Sequence, residues 1–321
     1  MLPESASVPA YSSVKTLLNG LFDYAGLFPP ASLPLEDAIK EYMAHRGHPD
    51  AWMLGPFVVP VGLLDNFASL LAPFELDSPI AVDILLSAGR NEERFLPDLS
   101  SELAICARFR DTYEHIIAVE AFEFKFPSQA FHSVNEVVAQ FSASGFDHQA
   151  LYGEMIRDAS FSSNLPIYFM TLAQTSGQIM GKIRCGGMAE TDFPTTAQLA
   201  EYIYTATKLA YPFKATAGLH HPIRFYNAQQ SVRMHGFINV LFASTLARVH
   251  ALLPDEIERI LEDENPNSFV FSPAGIQWQQ LKATNTQFIE QRRLLTRSIG
   301  SCSFDEPRAD LTELGWLTHE E

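Results

Sequence analysis

Two short segments concentrate the residues able to do chemistry, GKIRCGG at 181–187 and PFKATAGLHHPIR at 212–224. Each reads as a strand ending in glycine. Strand side chains alternate between faces, so Lys182 and Arg184 share one face of the first strand, and Lys214 and Thr216 one face of the second. Cations near the end of a buried strand, with Gly186, Gly187 and Gly218 leaving room for a ligand at the backbone, suit a small anionic ligand. Between Gly181 and His235 the chain carries six Lys or Arg against three acids, while the whole chain has a net charge of −16. Lys182 and Arg184 would hold the anion, with Thr216 beside them. Lys214, its pKa depressed by neighbouring cations, would attack a carbonyl, and His220 or His221 would move protons.

The elements that must position these residues follow a strand–helix alternation. Apolar runs at 57–61, 80–86, 116–124, 167–172, 179–185, from 213, 269–271 and 299–304 read as strands buried on both faces. Helical spacing falls between most of them, with capping boxes predicted at Ser133–Glu136 and Thr195–Gln198. The strand at 179–185 follows the one at 167–172 too soon for a full crossover helix. Eight strands over about 260 residues predict an α/β chain of (β/α)8, TIM-barrel-like fold. The expected organisation is an N-terminal helical extension over 1–50, including an aromatic, proline-rich loop at 22–31, followed by a single barrel domain over 51–321. The loop is expected to cover one end of the barrel, with Asp23 as its polar contact. No glycine-rich dinucleotide loop follows the first strand, which disfavours a doubly wound sheet.

In a barrel the active site forms where strands end at the C-terminal face. Asp83, Glu120, Glu123, Cys302, Asp305 and Glu306 thereby join the two lysines, Arg184, Thr216 and the histidines as candidates, with Asp305 and Glu306 read as substrate-binding. Interior salt bridges are the competing reading for the acids. His220 and His221 are adjacent, so their rings diverge on an extended chain, and no metal or other cofactor is expected. The alternative is a metal-dependent hydrolase or lyase built on His220, His235 and nearby carboxylates. Cys302 reads as a buried structural thiol, and as a nucleophile only if His220 or His221 reaches it.

Composition narrows the function classes. Hydrophobic residues make up 47% and charged residues 19% of 321, which fits a folded domain rather than disorder. The acidic balance argues against nucleic acid or an anionic membrane as partner. Three distant cysteines form neither a disulfide framework nor a zinc motif, which fits a reducing, cytoplasmic setting. The first residues lack a signal-peptide pattern, and no apolar run is long enough to span a bilayer. A homo-oligomer is compatible with all of this.

KATAG at 214–218 resembles the Lys-Thr-Ser-Thr-Gly strand of class I deoxyribose-phosphate aldolases, and GKIRCGG is loosely similar to their second lysine-bearing strand. That resemblance implies Lys214 as the Schiff-base lysine. Taken with FDYAGLFPP at 22–30 and GSCSF at 300–304, the chain looks like an uncharacterised family of bacterial proteins, a likeness that implies no activity. The expectation is a lyase of aldolase type, or an isomerase, acting on a small phosphorylated or carboxylated carbonyl compound. The metal-dependent hydrolase and a non-catalytic anion-binding sensor remain the alternatives.

Overall fold

Eight parallel strands close on themselves in the computed structural model, which describes residues 12–71, 73–74, 76–89, 91–127 and 133–317. The barrel strands are β1 (Phe22–Tyr24), β2 (Leu54–Pro60), β3 (Ile80–Leu85), β4 (Ile117–Lys125), β5 (Ala150–Glu154), β6 (Ile179–Arg184), β7 (Phe213–Thr216) and β13 (Thr296–Ser301). Their order, β1-β13-β7-β6-β5-β4-β3-β2, is that of a (β/α)8 barrel. Helices α2 (Leu35–Arg46), α3 (Leu64–Leu71), α4 (Phe95–Tyr113), α5 (Val134–Ala143), α6 (Phe161–Ala173) and α7 (Thr196–Lys208) connect successive strands. Among the described residues no helix is long and apolar enough to cross a membrane.

Two barrel strands differ from the sequence expectation. The run at 167–172 lies inside α6, where Phe161, Leu165, Tyr168, Phe169 and Leu172 are buried while Ile167 and Met170 face outward at 54% and 62% exposure. That is the 3.6-residue period of a helix, and the apolar outer positions masked it. The strand is instead β5, five residues containing Gly153, so a crossover helix does separate it from β6. The run at 269–271 is indeed a strand, β10 (Phe269–Ser272), but it pairs antiparallel with β11 (Gly275–Trp278), which pairs with β12 (Leu281–Thr284), outside the barrel.

The place vacated in the barrel is taken by β1, within the stretch 1–50 that composition had set apart. It hydrogen-bonds in parallel to both β13 and β2, so the barrel closes through three residues of the supposed loop. Helix α2 is then the first crossover helix, and among the described residues only α1 (Ser12–Leu18), packed against α10 (Asn285–Leu294) and β10, precedes the barrel.

Between β7 and β13 the chain inserts a hairpin of β8 (Phe225–Asn227) and β9 (Val232–Met234), then α8 (Phe237–His250), α9 (Pro254–Glu262), the β10–β12 sheet and α10. Every residue from Phe237 to Ala247 is buried, because α8 lies between α7, α9 and α10. The Thr195–Gln198 capping box forms, Thr195 Oγ1 accepting from the Gln198 amide at 3.1 Å and Gln198 Oε1 from the Thr195 amide at 3.0 Å. Ser133 caps α5 without a side-chain bond. The chain ends its described part with α11 (Asp305–Glu313), directly after the last barrel strand.

Candidate active site at the C-terminal mouth of the barrel

Register fixes which side chains enter the barrel. Glu154 pairs with Lys182, Lys182 with Lys214, Arg184 with Thr216, and Thr216 with Gly300. The alternate positions Ile183, Phe213, Ala215 and Ile299 belong to the hydrophobic core, so the predicted parity of both lysine strands holds. Ala121, Tyr152 and Met180 form an apolar plug below.

Above that plug lies a layer of charge. Lys214 is fully enclosed, its Nζ 2.5 Å from Asp23 Oδ2, 2.5 Å from Asp83 Oδ2 and in contact with Glu123 Oε1. The Tyr152 ring lies 5.3 Å from the same ammonium. Ser298 Oγ donates to Asp23 Oδ2 at 2.6 Å. Lys182 Nζ lies 2.7 Å from Glu123 Oε2 and 3.0 Å from Glu154 Oε2. Glu123 therefore joins the two lysines, and four carboxylates surround two ammonium groups.

Counter-charge thus comes from the protein, and the crowding is not cation against cation. Burial works against charge on Lys214, but Asp23, Asp83 and Glu123 outweigh it and hold its pKa well above the ordinary value. Lys182 is raised in the same way, burial being overcome by Glu123 and Glu154. The depressed lysine pKa expected from neighbouring cations is therefore reversed. Burial pushes Asp83 well above the usual carboxylate range, with Glu123 and Asp23 adding to it against the pull of Lys214. Glu123 is itself buried, yet Lys182, Lys214 and a hydrogen bond from Asp83 hold it low. Burial and the neighbouring acids thus favour a proton on Asp83, while the two lysines favour charge on Glu123.

A cavity of about 730 Å³ opens above this layer, and Glu123 and Lys182 form part of its floor. Arg184, Thr216, Gly187, Gly218, His220, His221, Cys302 and Glu306 line its walls. Phe28, Pro29 and Pro30, from the β1–α2 loop, and Phe225, Tyr226 and Met234, from the β8–β9 hairpin, close in from above. The aromatic loop therefore does cover one end of the barrel, the C-terminal one. Asp23, rather than capping that end, points into the charged layer. Lys214 lies beneath the cavity without lining it.

The remaining candidates separate by position. Arg184 is exposed and makes no ion pair among the described residues, so it is the cation left for a ligand. Gly186 and Gly218 allow the ends of β6 and β7 to touch. A Cβ on Gly218, whose φ is +70°, would stand 2.7 Å from the Cys185 carbonyl oxygen, and one on Gly186 would stand 2.7 Å from the Gly218 Cα. Asp305 is outside the cavity, paired with Arg308 at 2.7 Å. Glu120 is at the opposite end of the strands, in a hollow of about 320 Å³ with Arg46 and Tyr42.

His220 and His221 diverge as expected, and both are held by α11. His221 Nδ1 lies 2.5 Å from Asp310 Oδ2, and His220 Nδ1 lies 3.4 Å from Glu306 Oε2, one helical turn away on the same face. His220 also meets Cys302, with Sγ 3.4 Å from Nδ1 and 3.9 Å from Nε2. His235 does not join them. Its Nε2 faces the Pro194 carbonyl at 2.8 Å and its Nδ1 faces Arg224 at 3.3 Å. Among the described residues no three His, Cys, Asp or Glu side chains are grouped to hold a metal ion.

Glu154 was missed because β5 was missed. Cys302 was read as structural because its distance from His220 is a tertiary fact. The small-residue run GSCS, which leaves the last strand open to its neighbours, was the available signal for it. Set against protein-family models, curated proteins and solved structures, the chain matches none.

Proposed function

We propose that the protein is an enzyme that activates a small carbonyl compound bearing an anionic group, as a lyase of aldolase type or an isomerase. Lys182, not Lys214, is the amine that meets the carbonyl. The observation that carries this reading is the position of Lys182 on the cavity floor between Glu123 Oε2 at 2.7 Å and Glu154 Oε2 at 3.0 Å. Arg184, two residues along the same face, supplies the free cation for the anionic group.

In the resting state Lys182 is an ammonium group, since its carboxylate partners raise its pKa. As such it donates a hydrogen bond to the carbonyl oxygen and stabilises the negative charge that develops there when a proton leaves the α-carbon. Glu123, on the cavity floor beside Lys182, is the carboxylate within reach of the same centre. Alternatively, the proton of Lys182 passes to Glu154, and the free amine adds to the carbonyl carbon. Loss of water then gives an imine that draws electrons from the α-carbon. Both routes make the α-carbon acidic, and both need Lys182.

The test is deuterium exchange at the α-carbon, followed by NMR, across 2-oxo acids and phosphorylated aldehydes and ketones. At least one compound is expected to exchange with the wild type, with a loss on the order of a hundredfold or more in Lys182→Ala. No exchange across the panel, or exchange undiminished in that variant, would overturn the reading. Saturable binding without exchange would mark the anion-binding sensor instead.

A further inference from the structure

A second reactive centre stands at the rim of the same cavity, on different strand ends and independent of Lys182. Cys302 follows the last residue of β13, His220 is four residues past the end of β7, and Glu306 is in the first turn of α11. All three line the cavity. Cys302 is 6% and His220 5% exposed. Water is therefore largely excluded around the sulfur and the imidazole, which strengthens their interaction.

We propose that Cys302 is a thiolate nucleophile, paired with His220 and supported by Glu306, that takes an acyl group from a small ester or thioester in this cavity. Sulfur and carboxylate both approach Nδ1 of one imidazole, each at 3.4 Å. Two acceptors around one nitrogen hold the proton there. Burial opposes the charged ring, yet the hydrogen bonds to Cys302 and Glu306 lift His220 to about 9. His220 in turn holds Glu306 below its ordinary value. Burial pushes Cys106 and Cys185 each up to about 12, and neither lines the cavity.

The chemistry balances within these residues and water. The thiolate adds to the acyl carbon, and an S–C bond forms as the carbon–oxygen or carbon–sulfur bond to the leaving group breaks. The leaving group departs with that electron pair and takes the His220 proton if it is basic enough to need one. Water then adds to the thioester, giving its proton back to His220 where that proton left with the leaving group and otherwise to solvent, which releases the carboxylic acid and restores the thiolate. Glu306 acts through His220 as a positioning residue.

The test uses the full chain with two probes, iodoacetamide and p-nitrophenyl acetate, with sites mapped by mass spectrometry. A free thiol is only a few per cent ionised at neutral pH, and a paired thiolate is less nucleophilic per molecule. Alkylation of Cys302 is therefore expected to be about tenfold faster than that of glutathione. Cys106 and Cys185 should stay unmodified in the native protein. p-Nitrophenyl acetate should release a burst of one equivalent of nitrophenolate and leave an acetyl group on Cys302. The burst should be absent from Cys302→Ser and intact in Cys106→Ala, and it is read by acetylation of Cys302 rather than by α-hydrogen exchange, so failure here is separable from failure of the carbonyl reading. His220→Gln should reduce alkylation to the glutathione rate, and Glu306→Gln should reduce it by less. Should His220→Gln not fold, the ultraviolet thiolate absorbance of the wild type, compared with Cys302→Ser, reads the ion pair directly. Alkylation of Cys302 no faster than glutathione, no thiolate absorbance, or acetylation elsewhere would overturn the proposal.

Discussion

Lys214 and His220 are six residues apart on one strand and its following loop, yet they occupy unlike environments. Lys214 is at the bottom of the charged layer, fully enclosed by Asp23, Asp83 and Glu123. His220 lines an open cavity beside Cys302 and Glu306. Depth along the barrel axis, more than residue type, separates a charge that fastens strands from one that meets a ligand. Lys214 ties β7 to β1, β3 and β4 across the interior, and its ammonium stands where the side chains of those three strands would otherwise repel. Lys182, one strand away at the same level, differs because it lines the cavity floor itself, together with Glu123.

The largest effect expected from breaking this contrast is on stability. Lys214→Met leaves three inward carboxylates without their cation and should cost about 3–5 kcal/mol in denaturant unfolding. Lys182→Met should cost less, since Lys182 and Glu123 line the cavity and Glu123 can be solvated there. Equal losses would erase the distinction between a sealed and an open lysine.

The pH dependence of stability sharpens the rim side. His220 is lifted from 6.5 to about 9 in the folded protein. Its contribution is therefore whole below about 6.5 and is lost as pH rises through about 9. Melting temperatures across that range should show a decline in the wild type that is absent from His220→Gln. An unchanged decline in the variant would assign it to other groups.

Smaller effects follow at Asp83 and Arg184. Burial favours the protonated form of Asp83, so an amide of the same shape should replace it at a cost under about 1 kcal/mol. A loss as large as that of Lys214→Met would show that Asp83 is ionised. Arg184→Ala should change stability by no more than about 0.5 kcal/mol, because the side chain is exposed and in no ion pair among the described residues. It should nonetheless abolish binding of inorganic phosphate measured by calorimetry, and binding that survives would remove Arg184 from the ligand site.

The barrel was legible because alternation of apolar strands and amphipathic helices is a local property. So was the inward parity of Lys182, Arg184, Lys214 and Thr216, which needs only the two-residue repeat of a strand. Two barrel strands were not legible, for opposite reasons. β1 is three residues long and carries Asp23 at its centre, so it offers no apolar run to detect, and pairing on both sides is what makes it a strand. The 167–172 run is apolar on both its buried and its exposed positions, which hides helical periodicity. Partnership was the harder problem. That three carboxylates from β1, β3 and β4 converge on Lys214 follows from barrel closure, not from the spacing of any one segment. The adjacent histidines were expected to diverge, but their separate carboxylates on α11 lie more than eighty residues away in sequence.

The division between Lys182 and Lys214 is tested most directly by reductive trapping. The folded protein would be treated with sodium borohydride and whichever carbonyl compound exchanges its α-hydrogen, and the modified lysine mapped by mass spectrometry. If an imine forms, the adduct is expected on Lys182 alone, with Lys214 unmodified until the protein is denatured. An adduct on Lys214 in the native protein would contradict the assignment, since it would require the enclosed ammonium to leave its carboxylates and reach the cavity.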